Sequence, residues 1–252
     1  MKSLLNFLAS LGDALWFLGD VVGKILRGRV RVGEVFKQVY EQGVESVLIV
    51  ILTSLASGAV LALQGYVVMV RFGAKEYIAQ LVAWSIIREL SPVFTAIIFS
   101  AKAGARMAAE LGTMNVNDQI LATRTLGVDP VEFLVVPRIL ACFIALPVLT
   151  MISEVVGIAG GYMVGVTEAQ IPGVYYINQT LKAIRYIDFY SGFIKVFFFA
   201  VLVGWISCYQ GFSTKGGSLG VGRYTTKAVA QSIIYILISN TILTKIIISF
   251  WR

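Results

Sequence analysis

Lys102, Arg106 and Glu110 recur at four-residue intervals inside a strongly apolar chain. On a helix that spacing puts all three on one face, where they can pair. Apolar segments flank them on both sides, and an ionised group carried to a helix centre in a bilayer costs about 2.5–3.5 kcal/mol on insertion scales. Charges held at such an edge have two uses. They finish a helix as an interfacial salt bridge, or they line a polar path and change partners as it opens; Arg106 and Glu110 are candidates for either. Downstream, Asn115-Val-Asn-Asp118 has the residue types that start a helix, with an acidic group for its first turn. Gly127 stands where that helix would stop, and Pro130 enforces the break. The spacing predicts a helix of about two turns from Asp118 to Leu126. So short a helix is marginal alone and needs a surface to dock on. Ile120, Leu121 and Leu126 would supply an apolar knob for a partner's groove; the alternative is a solvated connector.

Other polar groups stand inside apolar runs. Gln64 and Tyr66 close the first long run, where an in-span amide is expensive and a tyrosine is a common interface anchor. Leu61, Leu63 and Val67 beside them are acyl-chain contacts if a lipid cavity lies there, and ordinary core otherwise. Arg88-Glu89 reads as a local ion pair at a helix break before Pro92, because proline removes a donor and disfavours helix in the preceding residue. The segment around it is therefore expected to be a broken or partly re-entrant helix pair. Glu154 lies deep in a later run.

Absences narrow the chemistry. The sequence has no histidine, which removes imidazole catalysis and the commonest metal ligand. Cys142 and Cys208 stand alone in apolar surroundings without metal or redox spacing, as packing residues do. No G-x-x-x-x-G-K-[ST] phosphate loop is present, so ATP cannot be bound by that route on this chain. No cofactor is expected here, and no nucleophile–base pair suggests an enzyme.

These residues must be positioned by membrane helices. Of 252 residues, 58% are hydrophobic and 14% charged, and the mean hydropathy is +0.82; soluble domains average about 45–50% apolar and 25% charged. The fold class is all-α and integral to a membrane. The net charge of +7 comes from basic residues flanking apolar runs, which topology explains without nucleic acid. Residues 1–33 form a first unit. Lys2, Asn6, Asp13, Asp20, Lys24 and Arg27 fall on one stripe at about 100° per residue. Leu4, Leu8, Leu11, Leu15, Leu18, Val22 and Ile25 lie opposite, and Trp16 sits at the border. This suits an amphipathic helix lying in the membrane interface, closed by the basic turn Gly28–Gly33. Asp13 and Asp20 within the apolar stretch argue against a cleaved signal peptide.

Residues 34–252 hold five expected spans, Val47–Val70, Tyr77–Ala101, Val131–Val166, Gly192–Tyr209 and Ala228–Phe250; a bilayer core of about 30 Å needs about 20 residues each. The third is too long for a simple crossing. With the N-terminus inside, twelve Lys and Arg fall on the cytoplasmic side and seven outside. That bias places the Asp118–Leu126 helix in the cytoplasm, and the loop Thr167–Tyr190 and the C-terminus outside. Small residues recur every four positions at Ala101/Ala105/Ala109, Gly104/Ala108/Gly112 and Gly157/Gly161/Gly165, which lets helix backbones approach within the chain or between copies.

Arg88-Glu-Leu-Ser-Pro92, Ala103-Gly-Ala-Arg106, Ala109-Glu-Leu-Gly-Thr-Met114, Leu126-Gly-Val-Asp-Pro130 and Val136-Pro-Arg138 together resemble the hallmark strings of the MlaE permease family. Leu63-Gln-Gly-Tyr66, and the tail from Trp205-Ile-Ser207 through Gly220 to Thr226, are similar to its other recurring patches. The likeness runs from about residue 34 to 250. It implies a half-transporter of the bacterial inner membrane: an interfacial helix, five spans, and a homodimer served by a separate P-loop ATPase that carries ATP and Mg²⁺. The helix between spans two and three would be the coupling helix, with Asp118, Ile120, Leu121, Leu126, Gly127, Asp129 and Pro130 at the ATPase contact. The resemblance further implies membrane lipid, with phospholipid foremost, as cargo, exchanged with a periplasmic MCE-domain protein, and a STAS-domain accessory subunit in some systems. The alternatives from the residues alone are an ion- or proton-driven carrier using Glu154, a channel or scaffold, and an intramembrane enzyme.

Overall fold

The computed structural model describes residues 2–27 and 30–250. The side chains of Lys2, Leu4, Asn6, Leu8 and Leu11, and the first two residues of the Gly28–Gly33 turn, lie outside the described residues. Within them the regular elements are all helical, in the order α1 (Lys2–Leu26), α2 (Val32–Gln42), α3 (Val47–Arg71), α4 (Ile78–Ser85), α5 (Ser91–Phe99), α6 (Ala105–Val116), α7 (Gln119–Thr125), α8 (Val136–Thr167), α9 (Gly173–Ala183), α10 (Tyr186–Phe212) and α11 (Gly217–Phe250). Among the described residues five helical runs are long and apolar enough to cross a membrane: Val32–Arg71, Lys75–Val116, Val131–Thr167, Tyr186–Phe212 and Gly217–Phe250. The protein is an all-α, multi-pass membrane protein.

The expected break in span two does not occur. Lys75–Val116 is one helical run of 42 residues, about 63 Å at 1.5 Å per residue. A π-turn over Ile86–Leu90 absorbs Pro92, which has no N–H to give the preceding turn. The carbonyl of Arg88, one of those thereby released, accepts a hydrogen bond from Lys195 Nζ at 3.0 Å. Nor do Arg88 and Glu89 pair locally. Arg88 Nε donates to Asp188 at 2.7 Å, while Glu89 accepts from Lys195 at 2.7 Å, Asn240 at 3.0 Å and Thr244 at 3.1 Å. Neighbouring residues on a helix point about 100° apart, so each finds its counter-charge on a different helix face. Span three is likewise one run, Val131–Thr167, with Pro147 inside it.

The chain divides into two compact units. One comprises residues 1–44, 99–145 and 200–235. In it α6 packs closely on α10 and the turn after it because glycines leave the room: a Cβ on Gly211 of α10 would come within 2.6 Å of Leu111 Cβ, and one on Gly112 of α6 within 2.9 Å of Thr214 Oγ1 just beyond α10. Cys142 and Cys208 are buried and free, and the Cys142 thiol donates to Gln42 Oε1 at 3.3 Å.

The other unit comprises residues 45–98, 146–199 and 236–252. Its apolar centre gathers Ala62, Ile78, Val82, Ile86, Ile171 and Tyr176. Here the Gly157/Gly161/Gly165 stripe serves packing inside the chain. A Cβ on Gly58 would strike the carbonyl of Gly157, and Gly161 and Gly165 make room for Val82 and Tyr176. Hydroxyls join three helices across this unit, Ser54 to Ser153 at 2.7 Å and Ser153 to Ser91 at 3.0 Å.

Candidate functional site

Glu110 sits in the middle of α6 and holds two guanidinium groups. Arg106 Nε donates to Oε1 at 2.8 Å, the expected helical pair, and Arg138 donates to Oε2 at 3.1 Å from the start of α8. Arg138, only 8% exposed, also donates to the carbonyl of Leu134 at 2.7 Å. Arg106 reaches back to α2, donating to the carbonyl of Glu41 at 3.3 Å and lying 3.7 Å from its carboxylate. The carboxylate thus ties span two to span three while Arg106 ties span two to α2. Arg138 as the partner of Glu110 and Glu41 as the partner of Arg106 were not legible, because separations of 28 and 65 residues leave no periodic trace.

The short helix forms, as α7 over Gln119–Thr125, but starts differently from the expectation. Asn115 is still inside α6. Its side chain donates to the carbonyls of Phe212 and Thr214, at 3.1 and 2.9 Å, closing the end of α10. Asp118 occupies the left-handed region at φ 55° and makes no side-chain cap bond. An aspartate tolerates that conformation, so it turns the chain between α6 and α7 instead of capping. Gly127 ends the helix at φ 78°, and its N–H donates to Arg124 O at 3.0 Å.

The apolar knob is smaller than expected. Ile120 faces inward and is buried, whereas Leu121 is 57% and Leu126 81% exposed. Asp129 is also committed inside the chain. Its Oδ1 accepts the N–H of Val131 at 2.9 Å, starting span three, and its Oδ2 pairs with Lys24 at 2.6 Å. Lys24 pairs at the same distance with Asp20 one turn earlier on α1. Partial burial works against both charges. The ion pairs and hydrogen bonds outweigh it, so Lys24 titrates above and Asp129 below its ordinary value. Pro130 follows directly and precedes the π-turn Val131–Val135. α1 is held a second time where Trp205 Nε1 donates to the carbonyl of Ala14 at 2.8 Å. The first tie fastens α1 to the segment that follows α7, and the second fastens it to α10.

The remaining candidates lie apart from this element, on α3 in the other unit. Leu63, Gln64 and Val67 are exposed along one face, while Leu61 and Tyr66 pack half-buried against the Ile78–Tyr176 cluster. Glu154 is buried, with Oε1 lacking a hydrogen-bond partner among the described residues.

The family model described as Permease MlaE matches residues 35–246. A probable ABC transporter permease protein of Rickettsia typhi is 38% identical over 246 residues, covering 98% of this chain and 95% of the relative. The intermembrane phospholipid transport system permease protein MlaE of Haemophilus influenzae is 36% identical over 247 residues, 97% and 94% of the two chains. A probable ABC transporter permease protein of Synechocystis is 35% identical over 242 residues, 96% and 92%. The matched region takes in Arg88 through Arg138, the α7 helix, the three middle spans and most of the first and last, and the chain belongs to the MlaE permease family, whose members are transporter permeases and not enzymes.

Proposed function

We propose that this chain is the membrane half of an ATP-driven lipid transporter. It works as a homodimer in a bacterial inner membrane, with its N-terminus cytoplasmic and its C-terminus periplasmic. Phospholipid is the favoured cargo, since the Haemophilus relative is named for phospholipid transport between membranes. A P-loop ATPase on a separate chain binds ATP and Mg²⁺ and receives α7, and lipid is exchanged with a periplasmic MCE-domain protein. A STAS-domain subunit is compatible with this scheme.

The observation that carries the reading is α7 itself. Its Leu121 and the following Leu126 stand exposed on a helix fixed at both ends to spans two and three, which is what a mechanical contact with a motor requires. The outward faces of α3 and α11 support a second copy or lipid as their cover, because only 28% and 11% of their most apolar windows are buried. In this reading Leu61, Leu63, Gln64, Tyr66 and Val67 border the lipid path. Glu110 and Arg106 on α6 are further lipid-path candidates, exchanging partners as the path opens.

The test is Leu121→Asp in the complex purified with its ATPase. Lipid-stimulated ATP hydrolysis should fall at least about tenfold, the consequence of losing more than about 1.4 kcal/mol of coupling. The permease itself should unfold at the wild-type temperature, because an exposed position away from special features shifts stability by about 0.5 kcal/mol or less. Unchanged assembly and turnover would overturn the docking role.

Glu154 favours a second reading, an ion- or proton-driven carrier, since buried intramembrane carboxyls mark such pathways. Dependence of transport on ATP hydrolysis separates the two.

A further inference from the structure

Beside α1, Arg124 and the Gly127–Val131 segment enclose a cavity of about 720 Å³, within the size range of small-ligand sites. Its wall is aromatic: Phe17 packs against Tyr209 and Phe212 with ring centroids 5.9 and 5.7 Å apart. Its rim carries both signs of charge, from Asp13 and Asp20 on α1 and from Lys24 and Arg124. These charges are not equivalent. Lys24 is shared by Asp20 and Asp129, each at 2.6 Å, in a trio left with one net negative charge. Asp13 and Arg124 enter no ion pair among the described residues. The cavity therefore offers one unspent carboxylate beside aromatic faces and one unspent guanidinium.

The mouth of the cavity is placed by α1. Trp16 lines it and is 77% exposed, as are Leu15 at 60% and Leu26 at 81% on the same helix. Apolar and indole surface displayed this way on an amphipathic helix belongs at the headgroup level of a bilayer. A lipid entering from that level would bring its headgroup to the cavity and leave its acyl tails in the membrane.

We propose that this cavity holds the headgroup of an amine-bearing zwitterionic phospholipid, its ammonium on Asp13 against the aromatic wall and its phosphate on Arg124. An ammonium is attracted by a carboxylate and by ring faces together, and a guanidinium matches phosphate oxygens bidentately. The site lies in the unit that carries α7, apart from the α3 candidates for transported lipid, and it stands whether or not this lipid is cargo. Because Gly127–Pro130 line the cavity, an occupant bears directly on the segment after α7.

The test is lipid retention by the purified chain, followed by native mass spectrometry with phosphatidylethanolamine, phosphatidylglycerol and soluble glycerophosphoethanolamine. The wild type should retain phosphatidylethanolamine about tenfold over phosphatidylglycerol, the size of one charge-assisted contact. Asp13→Asn should abolish that preference, Asp13→Arg should invert it, and Arg124→Gln should weaken both lipids alike. Both positions are exposed, and thermal unfolding checks that each variant remains folded. Equal retention of the two lipids in wild type and Asp13→Asn would overturn the proposal. Displacement of the lipid by equimolar soluble headgroup would also overturn it, assigning the cavity to a free zwitterion.

Discussion

Glu110 illustrates how much one side chain's role depends on partners far away in sequence. Removing its carboxylate leaves Arg138 with its side chain 9% exposed and without a counter-charge. Glu110→Ala should destabilise the protein by about 2–4 kcal/mol, below the figure for a fully buried pair because the carboxylate is part-exposed. Glu110→Gln, which keeps a hydrogen-bond acceptor, should lose less. If the pair with Arg138 is the source, Glu110→Ala/Arg138→Met should be more stable than the sum of the single changes predicts. Additive losses in thermal unfolding would dissociate Glu110 from Arg138. A second residue-scale prediction concerns pH at the Lys24–Asp129 pair. The folded Asp129 titrates below its ordinary value of 3.8, so its contribution is present above that pH and lost as pH falls through the lowered value. Lys24 titrates above 10.5, so its contribution is present below that pH and lost as pH rises through the raised value. A spin label replacing Trp16 should report α1 immobile across the middle range and mobile at both extremes. Asp129→Asn should remove the acid transition.

At the scale of elements, spans were legible because a bilayer demands about 20 apolar residues in a row, and the short helix because Gly127 and Pro130 punctuate it. Pairings were not. Pro92 reads as a break, yet Lys195, 107 residues away, takes up one of the carbonyls it frees and the helix continues through a π-turn. Asn115 reads as a helix start because its amide is a good cap, but the groups it satisfies belong to α10. Local spacing reports which residues can share a face, not which distant helix arrives there. The same geometry yields a prediction. Asn115→Ala should cost about 1–2 kcal/mol by orphaning the Phe212 and Thr214 carbonyls, and hydrogen exchange should quicken over residues 213–217. α7 amides should keep their protection, since their bonds run within α7. Quickening across both elements would mean that Asn115 anchors the whole loop.

The whole molecule raises the question of what drives it. In the proposed orientation, twelve of the lysines and arginines lie in the stretches on the cytoplasmic side with α7 and seven in those on the other side. An ATP-driven permease needs rigid load paths from that side, and the ties found there are of that kind: Glu110 to Arg138, Asn115 to α10, Lys24 to Asp129. A proton-driven carrier needs instead a carboxyl that alternates between two sides of the membrane. Glu154 is buried and offers one. The Arg88–Asp188 and Glu89–Lys195 pairs in the same unit are mutually neutralised, which makes them poor proton carriers. The expected outcome in reconstituted vesicles is that Glu154→Gln, which keeps size and polarity but cannot ionise, transports lipid at least at about half the wild-type rate, a change of under about 0.5 kcal/mol in the limiting step. Transport should persist when the proton gradient is collapsed and stop when the partner ATPase cannot hydrolyse ATP. Loss of transport in Glu154→Gln together with sensitivity to the gradient would replace the motor at α7 with a proton path through Glu154.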